Sequence, residues 1–137
     1  MNRKISLALA TILTLFIYSC SKPVKNESGP DLSGSWQWVN TMGGIANQVN
    51  ETPASTGKNV QLTITADNQY TILTNGVVTS QGTISFTVQN CIRHHTGKRV
   101  IVFSDPSVQQ LMIESLDPVS LRLTDNAYDG VISLYSR

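Results

Sequence analysis

Charge is scarce in this chain. Asp, Glu, Lys and Arg make up 14% of 137 residues, and they stand singly rather than in runs. With no basic stripe interleaved with aromatic side chains, the sequence lacks the electrostatic footprint by which proteins hold a phosphate backbone, so nucleic acid is not an expected partner. A glycine-rich phosphate loop is missing, and so is any spaced constellation of nucleophile, base and acid. The apolar run Ile5 to Ile17, about thirteen residues, falls short of the ~20 that a membrane-spanning helix requires. No window carries a convincing helical period. What remains is a length suited to one modest domain with a single core.

Residues 1–19 differ from the rest. Arg3 and Lys4 form a positive start, the apolar run follows, and Ser19-Cys20 closes it, which is the plan of an export signal. Ile17-Tyr18-Ser19-Cys20 resembles the lipobox of bacterial lipoproteins: an aliphatic residue comes first and a small one immediately precedes the cysteine, although Tyr18 is larger than usual at its position. The resemblance implies lipid on the Cys20 sulfur, cleavage before it and acylation of the new amino terminus, so that a membrane becomes a partner through the N-terminal lipid. The alternative is an ordinary secretory signal cut elsewhere, with Cys20 unmodified. Several acyl chains, at roughly 0.8 kcal/mol per buried methylene, anchor essentially permanently. Ser21 stands where an Asp would favour retention at the inner membrane, so the expected location is the cell envelope, at the outer membrane. Loss of the leader removes Arg3 and Lys4 and turns the formal charge of +1 into about −1. Residues 20–31 are polar, with two prolines and a glycine, and read as a flexible tether.

The body, residues 32–137, alternates short β-rich runs with turn residues. Strands are predicted at Gly34–Met42, Lys58–Ala66, Gln69–Thr74, Val77–Val88 with a break at Gly82, Arg99–Ser104, Val108–Leu116, Ser120–Thr124 and Val131–Ser136. Asn75-Gly76 is a strong two-residue hairpin signal; Asp67-Asn68, Asp105-Pro106-Ser107 and Asp117-Pro118 also suit tight turns. Val60, Leu62 and Ile64 alternate with Gln61, Thr63 and Thr65, which gives one buried and one wet face. About eight such strands in a meander lose their exposed edges by closing, so an all-β, eight-stranded antiparallel up-and-down barrel is expected.

Gly34-Ser35-Trp36 opening the first strand, Thr83-Ile84-Ser85-Phe86 and the closing Leu123 to Gly130 stretch resemble the lipocalin-like domains of small bacterial lipoproteins. The resemblance implies that Gly34 and Trp36 are a structural motif, with Trp36 plugging the closed end beneath a basic side chain, Arg122 or Arg137. It also implies a barrel that binds a small hydrophobic ligand. A packed interior would instead point to a lipoprotein that docks an envelope protein through its outer face or loops. Neither reading is enzymatic.

Individual residues carry weaker signals. Gly43, Gly44 and Ile45 open a long irregular insertion, Ile45 to Gly57, which is a candidate ligand lid or a plain connection. His94 and His95 are adjacent and lack a spaced third ligand, so no metal and no cofactor are expected. Cys91 with His94 is read as a small buried thiol beside a solvated loop rather than as a nucleophile and base. Asp125-Asn126 and Asp129-Gly130 are assigned to a turn, because an EF-hand would need alternating oxygen ligands and a distal glutamate.

Overall fold

A computed structural model describes residues 31–137. The chain forms β1 (Gly34–Gly43), β2 (Val49–Glu51), α1 (Pro53–Thr56), β3 (Val60–Ile64), β4 (Gln69–Thr74), β5 (Val77–Asn90), β6 (Gly97–Phe103), β7 (Leu111–Leu116), β8 (Ser120–Thr124) and β9 (Val131–Ser136). Every pairing is antiparallel, and β1 pairs with β9 as well as β3, so eight strands close into a barrel. The short β2 is an addition, laid along Thr41–Gly43 where β3 has already left β1.

Alternation divides each strand between two faces. Trp36, Leu62, Ile64, Tyr70, Ile84, Ile101, Phe103, Leu121 and Leu123 turn inward with Leu32 as one buried cluster, and Phe86, Leu111, Ile113, Leu116 and Tyr135 pack against it. Large side chains from the two strands that flank β5 meet here over Gly82: the rings of Tyr70 and Phe103 are edge to face at 4.8 Å. Asn75 and Gly76 both have positive φ, 53° and 80°, the geometry of a type I′ hairpin whose twist matches that of its strands.

Three register shifts bend the wall, leaving Val39, Thr79 and Glu114 as the extra residues of bulges in β1, β5 and β7. Such bulges let a small sheet curl and re-aim individual side chains. Gly82 does not break β5, which continues to Asn90. Its missing Cβ is instead required by space, because a methyl there would strike Ser104 Oγ and the Tyr70 ring. The insertion 45–57 is ordered. A 3-10 turn spans Ile45–Asn47, β2 follows, and α1 is a single turn started by a Thr52/Ser55 capping box with Pro53 behind it and ended by Gly57 at φ 67°. One turn is too short to leave a helical period in the sequence.

The closed end is tied by the two extremities of the body. Trp36 is fully buried and donates its indole N–H to Leu32 O at 2.8 Å. The Arg137 guanidinium lies 4.2 Å from the centroid of the Trp36 ring and donates to Ser33 O and Pro118 O, both at 2.6 Å. Gly34, at φ 135°, lacks the Cβ that would sit 2.8 Å from Arg137 Nη1. Among the described residues, the basic side chain over Trp36 is therefore Arg137, and Arg122 is not needed for it.

Candidate functional site at the barrel mouth

The opposite end is built differently. Between the β1–β2 hairpin and the β8–β9 loop lies an open cleft of about 660 Å³, lined by residues that include Met42, Val49, Arg93, Tyr128, Asp129 and Ile132. Its first wall depends on backbone approach. Gly44 N donates to Gly130 O at 3.4 Å, and a Cβ on Gly43 would lie 2.6 Å from that same oxygen. The turn continues with Ala46 and Asn47 at φ 55° and 56°. Gly43 and Gly44 thus join the hairpin to the opposite loop, and Ile45 projects outward, 73% exposed. The insertion forms a wall of the cleft.

The second wall is set by side chains bonding backbone. Asp125 Oδ1 accepts from Val131 N at 2.8 Å, a bond that spans the whole β8–β9 loop and is longer than the two-residue Asx turn. Thr124, buried, places Oγ1 2.8 Å from Asp125 O and 2.9 Å from Val131 O, and accepts from Arg93 Nη2 at 3.3 Å. Arg93 Nε also donates to Ala127 O at 3.4 Å. The guanidinium is therefore held at the cleft by two fixed acceptors. Tyr128 stands free beside it, 78% exposed.

Just inside the mouth the barrel turns polar. Trp38 donates its indole N–H to Thr41 Oγ1 at 2.9 Å, and Thr41 and Ser133 share a hydroxyl hydrogen bond of 2.8 Å. Tyr135 is partly buried nearby, opposite Trp38 in the β1–β9 register, and desolvation pushes its phenol above the ordinary value.

The outer wall carries a second feature. Cys91, Val100 and Met112 form a small buried cluster on the face opposite to Ile101 and Leu111, so the β5–β6 loop curls back over the outside of β6 and β7. Asn126 pins it: Oδ1 accepts from Ile92 N at 2.9 Å and Nδ2 donates to Asn90 O at 3.0 Å. His94 is exposed and approaches Glu114, which lies far away in sequence. Sequence reasoning had no signal for Glu114, whose position depends on the β7 bulge, nor for Asn126 as a clamp. Cys20 lies outside the described residues, as does the expected leader. Set against known proteins, the chain matches no protein-family profile, and no curated protein or solved structure aligns with it significantly.

Proposed function

We propose that this is a non-enzymatic lipoprotein of the bacterial cell envelope with a lipocalin-like barrel, anchored through lipid on Cys20 at the outer membrane, which takes a small amphipathic molecule into the mouth cleft. The observation that carries the reading is the cleft itself. At about 660 Å³ it falls in the size range of small-molecule sites, which combine apolar walls with a few fixed polar groups. Met42, Val49, Ile132 and the Tyr128 ring offer the apolar contact; Arg93 offers an oriented cation. The core side chains occupy the middle of the barrel, and Met42 and Ile132 stand in the outward-facing row of Met112 and Thr124, so the ligand of this proposal sits on the outer face beside the rim rather than inside.

The test is a fluorescence titration of residues 31–137 with fatty acids and neutral apolar probes. Saturable binding that weakens about tenfold, or ~1.4 kcal/mol, in Tyr128→Ala or Arg93→Ala supports the cleft. A second reading, docking of an envelope protein, is favoured by the packed interior together with the exposed Ile45 and Tyr128 at the rim. Absence of saturable binding by every probe would move the conclusion to that reading. For the anchor, a palmitate analogue should label the protein in cells and Cys20→Ala should abolish the label; a label that persists in the mutant rules the anchor out.

A further inference from the structure

The sequence offers His94 no third ligand, yet the fold supplies one. The Cys91 thiol sulfur, a His94 ring nitrogen and a Glu114 carboxylate oxygen all lie within 4.8 Å of one another. His94 Nε2 and Glu114 Oε1 are 3.4 Å apart, long for an N–H···O hydrogen bond. Zinc bonds to nitrogen and oxygen of about 2.1 Å, set at a tetrahedral angle, put those two ligand atoms about 3.4 Å from each other, and an edge to sulfur comes to about 3.6 Å. The trio is therefore within roughly an ångström of coordination geometry, and exposed His94 is the member free to adjust.

We propose that Cys91, His94 and Glu114 form a site for a divalent transition-metal ion of the zinc class, with its fourth position open to water or an exogenous ligand. The donor set selects the ion. A thiolate and an imidazole favour zinc-like cations, whereas calcium and magnesium take oxygen ligands. On binding, the Cys91 thiol releases its proton to solvent, and thiolate plus carboxylate balance the two positive charges while the imidazole stays neutral.

The site is pre-organised by the contacts that fold and pin the β5–β6 loop. Cys91 N donates to Thr96 O at 2.8 Å and His95 N to Cys91 O at 2.7 Å, a turn that brings Cys91 and His94 to one side. Asn126 clamps the loop on both flanks. Glu114 is the extra residue of the β7 bulge, a device that re-aims a side chain. Arg93, the cation nearest in sequence, is turned away to Ala127 and Thr124, and Lys98 Nζ is engaged on the Glu114 carbonyl at 3.2 Å. A bound ion would tie the β5–β6 loop to β7 across β6, where β6 and β7 pair only at Val100–Met112 and Ile101–Leu111.

The experiment uses the full chain purified in detergent and titrated with Co²⁺, whose thiolate complexes show a ligand-to-metal charge-transfer band. Expected are a one-to-one band that survives Cys20→Ala and disappears in Cys91→Ser, displacement of the band by Zn²⁺, and a rise in melting temperature with Zn²⁺ that follows mass action. His94→Ala and Glu114→Gln should each weaken binding about tenfold or more, since even residues that only orient a metal ligand commonly cost that much. A missing band in the folded wild-type protein would overturn the proposal, as would affinity unchanged by His94→Ala and Glu114→Gln. Because Cys91→Ser removes a buried side chain, its near-ultraviolet circular dichroism is recorded alongside; Glu114→Gln, partly exposed, keeps the test valid should that variant fail to fold.

Discussion

The two ends of the barrel are made from the same strands and solve opposite problems. At the closed end, polar groups near Trp36 find protein partners: the indole bonds Leu32 O, and Arg137 satisfies Ser33 O and Pro118 O while covering the ring. At the mouth, glycines let two loops meet backbone to backbone beside an open cleft, and apolar side chains such as Ile45 and Tyr128 stay in water. On the proposed function, the contrast separates stability from recognition. Substitutions at the closed end should be felt as folding energy, and those at the mouth as altered binding with little change in folding.

The strongest way to break this contrast is Trp36→Ala, expected to cost about 3–5 kcal/mol as a large-to-small change in the core and measured by urea denaturation of residues 31–137, a span expected to fold alone. An unchanged midpoint would mean that the closed end is not where stability resides. Arg137→Ala is the milder version. Loss of the ring contact and of charged donors to two carbonyls at a solvent-exposed site should cost about 1–2 kcal/mol by the same measurement.

Tyr135 sharpens the comparison through pH. Burial raises its pKa in the folded state, so the folded form holds the phenolic proton more tightly than the unfolded chain does. The stabilisation is full below the unfolded value of about 10 and is lost as pH rises through it toward the folded pKa. Thermal melts should therefore fall above about pH 10, and Tyr135→Phe should reduce that fall; an equally steep decline in the variant would place the alkaline transition elsewhere. The smallest expected effect is Tyr128→Ala. Its folding free energy should stay within about 0.5 kcal/mol of wild type, as for most surface changes, even where ligand titration changes.

How much of this was legible in the sequence depended on how each feature is encoded. Gln69–Thr74, Ser120–Thr124 and Val131–Ser136 were located to the residue, because each is bounded by turn chemistry and shows inside-outside alternation. Val108 was assigned to β7 on its apolar side chain, but it belongs to the preceding turn, where its N–H bonds Asp105 O at 3.1 Å, and it packs on the core from there. Gly82 suggested a break because a glycine at a turn and a glycine at a close contact look alike in one dimension. The mouth was half legible: Gly43 and Gly44 marked the start of an insertion, though not the short β2 within it, while Arg93, Tyr128 and Ile132 reach the cleft only through closure of the sheet. Glu114 was invisible for a stricter reason, since a bulge is a property of a strand pair and no single strand announces it.

Closure of the barrel also has a kinetic consequence. The hydroxyls of Thr41 and Ser133 that meet across the β1–β9 seam are 92 positions apart, whereas the hairpins pair with near neighbours in sequence. Bringing such distant segments together requires most of the loop-closure entropy to be lost before the seam gives anything back, which places folding among the slow, non-local β topologies. Until Val131–Ser136 has been synthesised, β1 has no partner on that flank. Closure of the whole wall thus waits on the segment that pairs with both β8 and β1.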